Sequence, residues 1–374
     1  MMKKTVFSIF IVVFLLAGCG AKSSGQVTTG EIGVIRDDNF GGTYINETLE
    51  SFGELGFDFG DSVDFAFDNG VAFEDVPYYS GYYGSMGDLM LACPQGYEHV
   101  IIARKYGGST WEEFHMTPSS KVIVTLNEKG KYLETEEVYN LTYSDVRNDY
   151  PSDEVFANYR EVKGGKLMPG LFYRSASPCN NEHNRAPYAN GLIEESGIRL
   201  VLNLSDTKEE YDDYKSLPDF SSFYYDGLCE EGKILFMDLG ANYSDPSYQK
   251  AVSEALLTAT ASDGPILFHC VEGKDRTGFV SVLILSLADA DYDEIISDYM
   301  ITFSNYYGIT KESEPERYDV IKADADGFLY YLCGAEKGTP MEELDFHQGA
   351  ENYLRQGGLS DEEIQKVSAF LRGE

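Results

Sequence analysis

The segment Pro265-Ile266-Leu267-Phe268-His269-Cys270-Val271-Glu272-Gly273-Lys274-Asp275-Arg276-Thr277-Gly278-Phe279 decides the fold of this chain. Pro265 to Phe268 is a short apolar run that reads as a buried strand, and Phe279 to Leu287 is a longer run that reads as a buried helix. A cysteine therefore sits where a strand ends, and an arginine and a threonine open a helix. Such a cysteine faces unpaired backbone N–H groups and the positive end of a helix dipole. That setting binds phosphate and favours a thiolate.

Outward from this segment the pattern is α/β. Pro187 to Glu195 reads as a short helix closed by Gly197, Ile198 to Leu204 as an apolar strand, and Tyr248 to Ala261 as a helix stopped before Gly264-Pro265. Beyond the loop the chain reads as helical to its end, where Ser360-Asp361-Glu362-Glu363 forms a capping box after Gly357-Gly358. Upstream, from about Glu31 to Leu141, strands and turns dominate. Val63, Phe65 and Phe67 alternate with other residues, Asn69-Gly70 follows, and Val71 and Phe73 resume the alternation, which predicts a two-residue hairpin. Val122 to Leu126 is a further strand, with Asn127 to Gly130 as its turn. The polar stretch from Tyr143 to Asp153, punctuated by Pro151, marks a boundary. The expected architecture is a small all-β domain over residues 31–145, then an α/β domain over residues 153–374 with a central, mainly parallel sheet and flanking helices. The aromatic stretch Pro77-Tyr78-Tyr79-Ser80-Gly81-Tyr82-Tyr83-Gly84 suits packing on a sheet, and as a binding loop it would suit sugars or peptides.

Composition narrows the partners. The 63 acidic residues against 29 basic ones give a formal net charge of -34, which repels nucleic acid at long range. Lys3 and Lys4 precede an apolar run from Val6 to Leu16 that is too short to span a bilayer comfortably, and Leu16-Ala17-Gly18-Cys19 follows. This start resembles the bacterial lipoprotein signal, with an ordinary signal peptide as the simpler reading. The resemblance implies a signal over residues 1–18, lipid on Cys19, a flexible tether over residues 19–30, and a mature chain anchored on the outer side of the cytoplasmic membrane. Five further cysteines, Cys93, Cys179, Cys229, Cys270 and Cys333, show no CxxC pair, so no metal site and no cofactor are expected.

The loop itself carries the chemistry. Five residues separate Cys270 from Arg276. A loop of that length curls so that the N–H groups of Val271, Glu272, Gly273 and Lys274 turn inward as a nest for phosphate oxygens. Gly273 eases the backbone geometry, and Arg276 supplies a planar fork for two oxygens. Cys270 is then the candidate nucleophile, giving a phosphocysteine that water cleaves. Thr277 is placed to bond the departing sulfur. Lys274 adds a cation at the rim, beside Glu272, and His269 is read as ordering the loop.

The segment resembles the His-Cys-x5-Arg-Ser/Thr signature of the cysteine-based protein tyrosine phosphatase superfamily, and its Gly-Lys-Asp-Arg-Thr-Gly part is similar to the bacterial tyrosine and lipid phosphatases. Asn158-Tyr159-Arg160-Glu161-Val162, Tyr173-Arg174-Ser175 and Gly197 to Leu204 resemble other parts of that subgroup. Arg174 and Ser175 are expected to buttress the loop. The resemblance implies a phosphatase acting on phosphorylated protein or a small phosphate ester, with protein phosphotyrosine as the default. Phosphoinositides or inositol phosphates are the nearest alternative, and a phosphate-reading binding protein with a weak site is the alternative of another class. Asn203-Leu204-Ser205 stands where the subgroup often has Asp-Leu-Arg, and no Trp-Pro-Asp loop is present, since Trp111, the single tryptophan, lies in the other domain. The general acid is therefore open: Asp275, which myotubularin-like phosphatases also place before their arginine, comes first, with Asp206, Asp238 and Asp245 as alternates. The segment Asp37 to Asn46 resembles part of the C-terminal β domain of S-adenosyl-L-methionine hydroxide adenosyltransferases and is a hint about fold alone.

Overall fold

The computed structural model describes residues 26–37 and 41–374; Cys19, the signal segment and Asp38 to Phe40 lie outside the described residues. Strands β1 (Ile32–Arg36), β2 (Thr43–Thr48), β3 (Ser62–Phe67), β4 (Ala72–Tyr79), β5 (Leu89–Ala92), β6 (His99–Arg104) and β7 (Lys121–Glu128) close a barrel in the order β1-β2-β6-β5-β4-β3-β7. All of its pairings are antiparallel except β4 with β5. Alternation decides which side chains enter it: Val63, Phe65 and Phe67 of β3 and Val122 and Val124 of β7 meet in one apolar cluster. Closure leaves no open sheet edge.

Two sequence expectations need correction here. The N-terminal part is β-rich and not all-β, because short helices Leu49–Glu54, Thr110–Glu113 and Leu133–Tyr139 accompany the barrel. The first two start at side-chain caps, Thr48 accepting from the Ser51 N–H and Ser109 from the Glu112 N–H. The β3–β4 hairpin has a three-residue loop, since the Phe67 N–H donates to the Val71 carbonyl and leaves Asp68, Asn69 and Gly70 as the turn. Gly70, at φ +89°, supplies the left-handed residue that such a loop needs.

The second sheet comprises β8 (Arg160–Glu161), β9 (Phe172–Ser175), β10 (Leu200–Asn203), β11 (Ile234–Phe236) and β12 (Ile266–His269), in the order β11-β10-β12-β9-β8. Only β8 runs antiparallel to its neighbour. β12 is central and wholly buried, which is why its sequence is a continuous apolar run rather than an alternating one. Register places Ser175, Asn203 and Phe236 at the same end of the sheet as His269. The loops after four parallel strands therefore converge on one edge, where open α/β sheets build their sites. The helix Asp275–Leu287 leaves that edge and is buried continuously from Thr277 to Leu287.

The barrel is joined to this edge by a buried ion pair. Lys105, just after β6, places Nζ 2.8 Å from Asp324 Oδ2 in the helix Pro315–Cys333, and the two side chains are 4% and 5% exposed. The Tyr139 hydroxyl also donates to Asp324, at 3.4 Å. Burial pushes the Asp324 carboxyl up, and Lys105 opposes that rise. Lys105→Met should cost about 3–5 kcal/mol in denaturant unfolding, because it strands a buried carboxylate. The double variant Lys105→Met/Asp324→Leu should recover most of that loss; a single variant as stable as wild type would contradict the assignment.

Candidate active site

β12 delivers Cys270 to the convergent edge with only 3% of its surface exposed. The helix that follows has no side-chain cap at its N-terminus. Among the described residues, the backbone N–H groups of residues 271 to 276 donate to no acceptor. Their carbonyls explain the orientation. The Val271 carbonyl accepts from the Ser177 N–H at 2.9 Å, and that of Glu272 from the Tyr306 hydroxyl at 2.6 Å. The Gly273 carbonyl accepts from Asn158 Nδ2 at 3.1 Å and Arg174 Nη2 at 3.0 Å. With these carbonyls drawn into the surrounding protein, the N–H groups of residues 272 to 274, on the opposite side of the same trans peptides, face the loop interior in a concavity suited to an anion. Gly273 is required at its position: φ is +68°, and a Cβ there would lie 2.3 Å from the Ser175 carbonyl oxygen.

One carboxylate holds this brace. Asp298 accepts from Arg174 Nη1 at 2.6 Å, Arg160 Nε at 3.1 Å and the Ser281 hydroxyl at 2.6 Å. Arg174 is fully buried and Asp298 is 5% exposed. Burial would push the Asp298 carboxyl up, but the guanidinium groups of Arg174 and Arg160 outweigh it and hold it at about 2. His269 is fully buried between the Tyr225 hydroxyl, 3.3 Å from Nε2, and the Cys270 carbonyl, 3.3 Å from Nδ1. Burial lowers its pKa to about 4, so at neutral pH the ring is uncharged and orders the loop.

The remaining side chains divide by what they meet. Arg276 Nη1 donates to the Leu239 carbonyl at 2.8 Å, which ties it to the loop after β11. The Thr277 hydroxyl is buried and has no hydrogen-bond partner among the described residues. Lys274 Nζ lies 3.2 Å from Asp275 and 3.6 Å from Glu272. Asp275 Oδ1 accepts from the Tyr106 hydroxyl of the barrel at 2.7 Å. Burial pushes the Asp275 carboxyl up, but Lys274, the Tyr106 hydroxyl and Lys105 together hold it below the usual carboxylate range. The alternates differ sharply. Asp206 is buried and accepts from Asn203 Nδ2 at 2.9 Å. Asp245 caps the helix Pro246–Ala259 through the Ser247 N–H. Asp238 is exposed, beside Leu239.

Cys270, Gly273, Lys274, Asp275, Arg276 and Thr277 thus come together in one loop, and Arg174 and Ser175 support it from behind. Sequence reading missed Asp298, Tyr106, Tyr306 and Leu239. A signal for Asp298 existed: an arginine in the apolar strand Phe172–Ser175 demands a buried carboxylate. No local signal marks Tyr106, which is 169 residues from Asp275. Its backbone sits at φ +51°, a strained conformation for a bulky residue, and its ring stacks on Tyr243 with centroids 4.8 Å apart.

Asp298→Asn should cost about 3–5 kcal/mol at neutral pH, because two guanidinium groups lose a buried partner. The sign with pH follows from the lowered pKa. Wild type has this stability above the ordinary value of 3.8 and loses it as pH falls toward about 2. The Asn variant should lack that slope in unfolding measured against pH; an unchanged slope would remove Asp298 from the brace.

A family model and several known proteins resemble this chain. A model described as "Tyrosine phosphatase family" matches residues 156–373. A tyrosine-protein phosphatase of Nostoc commune is 32% identical over 137 residues, 34% of this chain and 45% of that protein. The triple specificity protein phosphatase PtpB of Mycobacterium tuberculosis is 31% identical over 136 residues, 32% of this chain and 48% of that protein. The chain spans about half the length of these two curated relatives. Among solved structures, TpbA of P. aeruginosa in complex with pTyr shares 15% identity and a TM-score of 0.28, over 51% of this chain and 94% of that one. With the model matching more than half of its residues, this chain belongs to the tyrosine phosphatase family.

Proposed function

We propose that this chain hydrolyses phosphomonoesters, with protein phosphotyrosine as the default substrate, through a phosphocysteine intermediate. The observation that carries the reading is the concavity of inward amides between Cys270 and Arg276. In the first step the Cys270 thiolate attacks phosphorus and the bond from phosphorus to the ester oxygen breaks. The amides of residues 271 to 276 and the Arg276 fork hold the equatorial oxygens, and an acid protonates the leaving oxygen. In the second step water attacks phosphorus, the phosphorus–sulfur bond breaks, and the carboxylate takes the water proton. The unpartnered Thr277 hydroxyl donates to the departing sulfur. The names of the two relatives support the substrate class.

Geometry favours Asp238 over Asp275 as the acid. Asp275 is held ionised by Lys274 and Tyr106 and so braces the loop. Asp238 is exposed next to the residue whose carbonyl receives Arg276. Asp206 and Asp245 are committed to Asn203 and to a helix cap. Cys270→Ser should abolish turnover of p-nitrophenyl phosphate, and activity that survives it would sink the mechanism. Asp238→Asn should lower kcat about 100-fold or more for phenyl phosphate, a poor leaving group, and far less for p-nitrophenyl phosphate. Asp275→Asn should lower both alike. The reverse pattern would return the acid role to Asp275.

The mature chain is placed outside the cytoplasmic membrane, held by lipid on Cys19. The support is the sequence alone: the lysines, the short apolar run and the cysteine at its end. Among the described residues no helix is long and apolar enough to cross a membrane. Cys19→Ala should move the protein from the membrane fraction to the soluble fraction; retention in the membrane would contradict a lipid anchor.

A further inference from the structure

Beside the catalytic loop, between the barrel and the loop after β11, lies a cleft of about 530 Å³, within the usual size of small-ligand sites. No residue from 270 to 276 lines it. It is nevertheless bonded to that loop from both walls. Leu239, in one wall, accepts from Arg276, and Tyr106, in the other, donates to Asp275. It is thus placed for the part of a substrate that extends from the phosphate, not for the phosphate itself.

Three side chains in its walls point to a ligand. Tyr248 is 3% exposed, and its hydroxyl has no hydrogen-bond partner among the described residues. Tyr82 and Tyr97 keep 36% and 37% of their surfaces exposed. The charges point the same way. The cations of the barrel wall are already engaged: Arg36 with Glu112 at 3.1 Å, Arg104 with Glu113 at 2.7 Å, and Lys105 with Asp324 at 2.8 Å. Asp238 and Asp245 face them from the other wall. Lys274, the rim cation of the loop, is held between Glu272 and Asp275. A second phosphate needs cations free to grip it, and among the described residues every basic side chain of this cleft has a carboxylate partner. Tyrosine faces, carboxylates and the backbone of Gly107, Gly108 and Gly240 instead suit amide groups and basic side chains.

We propose that this cleft binds the polypeptide on either side of a phosphorylated residue, and that it selects neutral or basic flanking residues over acidic or further phosphorylated ones. The proposal rests on the phosphatase reading above and names the substrate class of that site. The barrel then contributes half of the substrate site. The net charge of -34 acts in the same direction by drawing basic partners toward the surface.

The test compares three probes on the full chain: a phosphotyrosyl peptide flanked by lysines, the same peptide flanked by glutamates, and inositol hexakisphosphate. The lysine peptide should exceed the glutamate peptide about tenfold in kcat/KM, mainly through KM, with a preference that shrinks as salt is added. Inositol hexakisphosphate should be the poorest substrate. Tyr97→Ala should lower the kcat/KM ratio of lysine peptide to p-nitrophenyl phosphate about tenfold. Ser247→Lys, which adds a cation to the opposite wall, should shift preference toward the glutamate peptide and serves if the Tyr97 variant does not fold. Equal turnover of both peptides, or best turnover of inositol hexakisphosphate, would overturn the proposal while leaving the phosphatase reading intact. Absence of any Cys270-dependent turnover, p-nitrophenyl phosphate included, would overturn both.

Discussion

The site depends on one buried carboxylate. Asp298 neutralises Arg160 and Arg174 together, and Arg174 in turn holds the Gly273 carbonyl. Without a negative charge there, a fully buried guanidinium could not stand behind the loop. The consequence reaches the chemistry directly. Each loop carbonyl fixed from behind leaves an amide facing forward, and the forward amides are what an anion meets. The concavity is therefore maintained by groups that lie behind it.

The barrel adds a second layer of support. Lys105 and Tyr106 are adjacent in sequence, yet one joins Asp324 in a distant helix and the other joins Asp275 in the loop after β12. The left-handed backbone at Tyr106 lets two neighbouring side chains serve these two partners. Strain at such a position persists only where surrounding contacts over-determine it, and here a ring stack, a hydrogen bond and a buried ion pair do so. Asp275 is consequently drawn into structure. The carboxylate that the loop motif put first as an acid is engaged by Lys274 and the Tyr106 hydroxyl, which is why Asp238 is proposed as the acid instead.

Legibility followed distance along the chain. The strand, loop and helix around Cys270 were readable because each is specified by neighbours: an apolar run for β12, a glycine where a Cβ would strike Ser175, an apolar run for the helix. The cap at Ser360 and the helix over Ala186–Glu195 were readable for the same reason. The hairpin at Asn69-Gly70 was placed correctly, but its loop length was not, since pairing of Phe67 with Val71 is settled across strands. The short helices beside the barrel escaped an alternation-based reading because each spans only one or two turns.

By itself the sequence singled out Cys270, Arg276 and the loop that presents them, because such a cradle is built from consecutive residues whose geometry is local. Only the tertiary structure decided what holds that cradle and what borders it. Asp298, Tyr106 and Leu239 come from a helix, a barrel and a strand-end loop far apart in sequence, and they meet the cradle through long-range packing; the buried Arg174 announces that a carboxylate is needed but not which one. The surroundings of Asp275 were decided this way too, since an ionisable group takes its charge state from the groups folded around it.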